Sequence, residues 1–144
     1  MAKTTLQLWI NGQRTASCSK RFGDVYNPAS GEIIRQVPLA NREDMEIAIA
    51  AAKAAFPAWR DTTPLRRSRI LNKFRELLDT HRAELAQLAS EEHGKTLEDA
   101  TGSVQRGIEV VEFAVGAPHL LKGEHAENVG RGVDCHSMLQ PIGV

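Results

Sequence analysis

Two glycine-bearing triplets, five histidines, two cysteines and one helical arginine are the residues of this sequence whose types and spacing bear on chemistry. Gly94-Lys95-Thr96 has the glycine, ammonium and hydroxyl that close a phosphate-binding loop, where backbone amides and a lysine cradle phosphates. That loop also needs a glycine five positions earlier and a preceding strand, and Ala89 stands there instead, within a helical pattern. Gly130-Arg131-Gly132 resembles the start of a dinucleotide fingerprint, yet Cys135 holds the place of its third glycine and no helix follows. Neither triplet is read as a nucleotide site. His81, His93, His119, His125 and His136 show no pairing at the three- or four-residue spacing that sets two ligands on one helical face, so they are read as structural or solvated and no metal is expected. Cys135 precedes His136 in an extended pattern, where neighbours point to opposite faces and cannot share a proton. No catalytic residue is assigned.

Arg106 carries more information. Around it Val104, Ile108, Val111 and Val115 form one apolar stripe and Val110, Phe113 and Ala117 a second on the opposite side. At about 100° per residue Arg106 falls within the second stripe, while Gln105, Glu109 and Glu112 fill the polar strip between. A guanidinium on a covered face is always charged and requires an anion, because leaving it unpaired costs several kcal/mol. That anion is either a protein carboxylate or the carboxylate of a substrate. Gly102, Gly107 and Gly116 each cost roughly 1 kcal/mol relative to alanine in a helix, which implies close approach of a neighbour. A helix covered on two faces also needs more covering material than the rest of the chain supplies, so a larger protein or an oligomer is expected to complete the core.

The elements that must position these residues follow from turn chemistry and periodicity. Asn11-Gly12 tolerates positive φ and predicts a two-residue hairpin between Leu8-Ile10 and Arg14-Thr15. Phe22, Val25 and Tyr26 lead into the turn formers Asn27-Pro28-Ala29-Ser30-Gly31, and Ile33, Ile34, Val37 and Leu39 resume an extended pattern. From Asn41, a candidate cap, the period becomes helical: Met45, Ala48, Ile49, Ala52, Ala55, Phe56 and Trp59 share one face, with Pro57 weakening the last turn. Thr63-Pro64 predicts the N-cap and first residue of a second helix through Leu78. A third helix, about Ala83 to Glu92, ends at Gly94, and Thr96-Leu97-Glu98-Asp99 reads as a capping box opening a fourth that runs to about Leu121. Beyond the breakers Gly130 and Gly132, Val133, Cys135, Ser137 and Leu139 alternate with polar residues as one strand.

Composition narrows the function classes. Lysine plus arginine and aspartate plus glutamate balance at 18 each, with no block of one sign, so nucleic acid and anionic membranes are not expected partners. No run approaches the roughly 20 apolar residues of a membrane span, and the amino terminus lacks a secretory stretch. A cytoplasmic location is expected, with Cys18 and Cys135 as free thiols.

Four segments carry a family resemblance. Leu8-Trp9-Ile10-Asn11-Gly12, Tyr26-Asn27-Pro28-Ala29-Ser30-Gly31-Glu32, Ala54-Ala55-Phe56-Pro57-Ala58-Trp59 and Glu91-Glu92-His93-Gly94-Lys95-Thr96 occur in the order and spacing of the amino-terminal segment of aldehyde dehydrogenases. The segment from Gly102 to Ala114 most resembles the coenzyme A-acylating malonate and methylmalonate semialdehyde dehydrogenases. Gln140 to Val144 looks like the start of the first strand of that family's nucleotide-binding domain.

The resemblance implies an α/β chain: a β-hairpin region over 1–40, the helical part of an NAD-binding domain over 41–123, an oligomerisation-type strand over 124–140, and the beginning of the nucleotide-binding sheet at 141–144. It implies that Arg106 meets the distal carboxylate of a semialdehyde. In the complete family enzyme a cysteine thiolate attacks the aldehyde, hydride passes to NAD, and coenzyme A takes the acyl group as carbon dioxide is lost. The family's nucleophile, oxyanion asparagine and main NAD contacts match no position of this sequence. The chain alone is therefore expected to be inactive, to hold no cofactor strongly and to expose apolar helix faces, and the complete enzyme is expected to be a homo-oligomer. A non-acylating dehydrogenase of succinate-semialdehyde or betaine-aldehyde type, and a non-catalytic helical interaction module, remain open beside this reading.

Overall fold

The structure, a computed structural model, describes residues 4–144, so positions 1–3 of the expected hairpin region and of the amino-terminal signal argument lie outside the described residues. The chain opens with strands β1 (Thr4–Thr5), β2 (Leu8–Ile10), β3 (Gln13–Thr15), β4 (Phe22–Tyr26) and β5 (Ile33–Pro38). Asn11 and Gly12 take φ of 52° and 74°, the left-handed pair that closes a tight hairpin, and β2 pairs antiparallel with β3 as expected. At the second turn the Asn27 side chain accepts the Ala29 amide at 2.9 Å and its carbonyl accepts the Gly31 amide at 2.8 Å. β4 and β5 therefore run antiparallel, and β1 adds in parallel to the other edge of β5.

Helix α1 (Arg42–Asp61) starts with a complete capping box: Asn41 Oδ1 accepts the Asp44 amide, and Asp44 Oδ2 accepts the Asn41 amide, both at 3.0 Å. Pro57 was expected to weaken the last turn, but the helix continues through it to Asp61. Its last carbonyls have outside donors: Arg67 Nη1 lies 3.4 and 3.3 Å from the carbonyls of Trp59 and Arg60. Helix α2 (Pro64–Thr80) begins at the proline as expected, although the Thr63 side chain makes no capping bond. Helix α3 (Arg82–His93) ends at Gly94 with φ 80°, the left-handed residue read from the sequence.

Helix α4 (Leu97–Val115) departs from expectation at both ends. Thr96 accepts the Asp99 amide, but Asp99 does not complete the capping box, because its carboxylate is engaged by Lys95 at 2.9 Å. The run expected to reach Leu121 breaks at Gly116, and a short α5 (Ala117–Leu120) follows. Pro118 has no amide to donate to Ala114, so the α-helical ladder cannot continue there.

Helix α4 packs against α2 and α3, and Ile108, only 3% exposed, joins Ala86 and Ala100 in a thin core. The Ser68 hydroxyl of α2 donates to the Val115 carbonyl at 2.6 Å and closes the carboxyl end of α4. The stripe containing Ile108 thus faces its own chain, whereas Val110 and Phe113 on the opposite stripe are 69% and 74% exposed. The expectation that both faces are covered is not met within these residues. Met45, Ile49 and Trp59 of α1 are exposed as well, in line with the open apolar helix faces anticipated from sequence.

The tail corrects the sequence reading. In place of one strand there is a hairpin, β6 (His125–Gly130) with β7 (Val133–His136), turned at Gly132 with φ 73°. The Glu127-Asn128 stretch offers no apolar alternation, which hid β6, and Ser137 and Leu139 lie past the end of β7. Residues 141–144 pair with no strand among the described residues. Every residue from 119 to 144 is exposed. Among the described residues no helix is long and apolar enough to cross a membrane.

Candidate functional site

Arg106 sits in the middle of α4, on the stripe that the chain leaves open between Val110 and Phe113. It is exposed, so the sequence argument that it must be buried and paired does not hold within these residues. Its Nη2 donates to the Ser103 hydroxyl oxygen at 3.0 Å, one turn earlier on the same helix. Among the described residues, Ser103 is its hydrogen-bond partner and no carboxylate lies within ion-pair distance.

The same oxygen of Ser103 accepts Lys95 Nζ at 2.9 Å, and that ammonium also contacts Asp99 Oδ2 at 2.9 Å. Local structure produces this convergence. Gly94 turns the chain left-handed out of α3, Ser90 fixes the Lys95 carbonyl at 2.7 Å, and Thr96 starts α4, so Lys95 reaches along the first turns of that helix. The hydrogen bond and charge of Lys95 hold the Asp99 carboxyl below the usual carboxylate range, partial desolvation opposes this, and Arg106 and His93 add smaller lowering contributions. Asp99 is paired with Lys95, and Arg106 acts on it only as a smaller charge contribution from beyond ion-pair distance. Arg106 is therefore held in place without its charge being neutralised, an arrangement suited to an external carboxylate.

The glycines divide. A methyl group on Gly102 would lie 3.7 Å from Arg106 Nη1, an ordinary contact, so glycine leaves that side of the guanidinium clear. Gly107 faces open space, and among the described residues no neighbour makes the close approach expected from the sequence. Gly116 lies at the end of α4 against the Phe113 carbonyl, which makes it a helix terminator rather than a packing site.

The remaining candidates resolve in place. Gly94-Lys95-Thr96 joins two helices, with Gly94 against Pro28 and Lys95 committed to Ser103 and Asp99. Gly130-Arg131-Gly132 closes the exposed β6–β7 hairpin. Neither triplet stands in the strand-to-helix turn that a phosphate-binding loop or a dinucleotide fingerprint requires. His125 stands opposite His136 across that hairpin, a cross-strand pairing that a search for helical spacing could not find. Ala126 stands opposite Cys135 in the next register position, so Cys135 and His136 do point to opposite faces. Cys18 and Cys135 are free and exposed, and at Cys18 partial desolvation, then the charges of Glu43 and Asp44, push the thiol above its ordinary value. That is the reverse of an activated nucleophile.

The sequence alone gives Ser103 no role and marks Lys95 only as the ammonium of a phosphate-loop-like triplet. The Ser103-to-Arg106 spacing of one helical turn was available, but which rotamer brings the two together was not.

Comparison with known proteins places this geometry in context. Residues 14–144 match the model of the aldehyde dehydrogenase family. The chain is 52% identical over 140 residues to the malonate-semialdehyde dehydrogenase of Pseudomonas aeruginosa, covering 97% of this chain and 28% of that protein. It is 46% identical over 144 residues to a Dictyostelium discoideum protein named as a candidate acylating methylmalonate-semialdehyde/malonate-semialdehyde dehydrogenase, covering 100% and 27%. Its backbone superposes with a TM-score of 0.94 on a crystal structure named as a candidate methylmalonate-semialdehyde dehydrogenase from Sinorhizobium meliloti, complexed with NAD. That match is 45% identical and covers 99% of this chain and 29% of the other. The chain thus spans under a third of the length of these relatives.

Proposed function

The chain belongs to the aldehyde dehydrogenase family, and from that membership we propose that it is the amino-terminal segment of an NAD-dependent, coenzyme A-acylating malonate- or methylmalonate-semialdehyde dehydrogenase. Such an enzyme turns a semialdehyde into an acyl-CoA, with loss of carbon dioxide and reduction of NAD. In this reading Arg106 receives the distal carboxylate of the substrate. The observation that carries it is the guanidinium itself: held by Ser103 at 3.0 Å and set beside Val110 and Phe113 on an open face, with no carboxylate of the described residues within ion-pair distance. NAD and coenzyme A belong to the complete enzyme, and no residue described here is assigned to either. The reading also takes 41–123 as the helical part of the nucleotide-binding domain and 141–144 as the start of its first strand. The exposed β6–β7 hairpin is then the arm through which complete subunits associate.

The experiment joins this chain to the carboxyl-terminal remainder of the Pseudomonas aeruginosa relative and follows NADH formation. Coenzyme A-dependent turnover of malonate semialdehyde, with KM raised by Arg106→Gln for that substrate but not for uncharged propanal, is the expected result. Equal effects of Arg106→Gln on both aldehydes would remove Arg106 from substrate binding. The 144-residue chain alone should form no NADH, and turnover by it would overturn the assignment of the chemistry to other parts of the enzyme.

A further inference from the structure

We infer that Ser103 is a positioning residue: its hydroxyl, fixed between Lys95 and Arg106, sets the direction of the Arg106 guanidinium while leaving its charge available to the substrate. This deepens the proposed function and rests on Arg106 being the carboxylate-binding group.

A serine oxygen has two acceptor lone pairs, and here both are taken by cations, at 2.9 Å from Lys95 and 3.0 Å from Arg106. Had the acceptor been a carboxylate, Arg106 would be neutralised and its fork of donors occupied. A neutral oxygen anchors one nitrogen and leaves the other donors of the fork unused within the described residues. Lys95 is itself only 20% exposed and is balanced by Asp99, so the second cation on Ser103 is compensated separately. Its contact fixes the hydroxyl from the other side, which stops the oxygen from swinging away from Arg106. A long arginine side chain loses rotamer freedom when it is ordered, and holding one rotamer in advance removes part of that cost of binding.

Two measurements test this. In the 144-residue chain, nitrogen-15 relaxation of the Arg106 Nε–H group should report a restrained side chain. Ser103→Ala should mobilise it and Ser103→Thr, which keeps the hydroxyl, should restore it. In the enzyme joined to the Pseudomonas aeruginosa remainder, Ser103→Ala should raise KM for malonate semialdehyde roughly fivefold to tenfold, as expected for one charge-assisted hydrogen bond. The kcat should stay within about twofold and propanal kinetics should be unchanged, because no reacting group is touched. An unchanged relaxation profile in Ser103→Ala overturns the inference whatever the kinetics. So does a matched fall in kcat for both aldehydes, which is the mark of a disturbed fold. If Ser103→Ala is silent while Arg106→Gln still raises KM selectively, the positioning role fails and the carboxylate assignment stands. If Arg106→Gln is silent as well, both fail together.

Discussion

The Asp44 carboxylate accepts the Ser17 hydroxyl at 2.6 Å across a separation of 27 positions, and so ties the segment after the first hairpin to the start of α1. Its other oxygen takes the Cys18 amide at 2.8 Å, and the same group closes the capping box with Asn41. The Ser17 hydroxyl and then the Cys18 and Asn41 amides lower its pKa from 3.8 to about 2, against partial desolvation. A depressed carboxylate stabilises the fold in full above its unfolded value, and that contribution fades as pH falls from 3.8 toward about 2. Asp44→Asn should therefore lower the urea midpoint at pH 6, and the gap from the parent chain should narrow toward pH 2. A gap of constant size across this range would show that the charge of Asp44 contributes nothing.

Gly94 meets Pro28 at the junction between the second β-turn and the end of α3. A methyl group there would lie 3.0 Å from Pro28 Cβ, on a backbone already at φ 80°. Gly12 has a similar φ of 74° with nothing within 4 Å, and so serves as the control. Gly12→Ala should cost only the left-handed penalty, roughly 1 kcal/mol. Gly94→Ala should cost about 1–2 kcal/mol more by chemical denaturation, because the proline must also move. Equal losses at the two positions would mean that the turn and α3 are not in contact.

Arg35 links the sheet to α3, with Nη2 3.1 Å from Glu91 and Nη1 3.0 Å from Glu92. The arginine side chain is 20% exposed, which partly shields the pair from solvent, yet both glutamates reach water. A double-mutant cycle on Arg35→Met and Glu91→Gln should give a coupling of about 1 kcal/mol at low salt, decreasing at 1 M salt. A coupling indistinguishable from zero at low salt would leave Pro28 against Gly94 as the attachment between these elements.

The features legible in the sequence were those whose cause is local. Asn11-Gly12 and Gly94 announce positive φ within one or two residues, and Asn41 and Pro64 mark helix starts in the same way. The relationships of Ser17 with Asp44 and of Arg35 with Glu91 span 27 and 56 positions, and no local pattern encodes which distant carboxylate a donor will meet. At the candidate site, periodicity placed Arg106 on a second stripe of α4, and the structure agrees. Periodicity could not say that this chain leaves the stripe open, nor that a serine one turn away would take the guanidinium. The β6 strand was invisible for a third reason: its residues face solvent on both sides, so burial never imposed an alternating pattern.

The unequal faces of α4 make a final prediction. Ile108 is 3% exposed and Phe113 is 74% exposed, although both are large apolar residues on one helix. Ile108→Ala should destabilise the 144-residue chain by about 2–4 kcal/mol through lost burial and the cavity left behind. Phe113→Asp should change its stability by less than about 0.5 kcal/mol, since no packed contact is broken. It should also reduce self-association and dye binding, because an exposed apolar patch drives both. In the enzyme completed with the Pseudomonas aeruginosa remainder the same Phe113→Asp change should become damaging, the result expected of a remainder that covers this face. Paired denaturation and sedimentation measurements on the two forms decide the matter. A Phe113→Asp chain that is strongly destabilised on its own would show that the second stripe already packs against this chain, removing the reason to expect a covering partner.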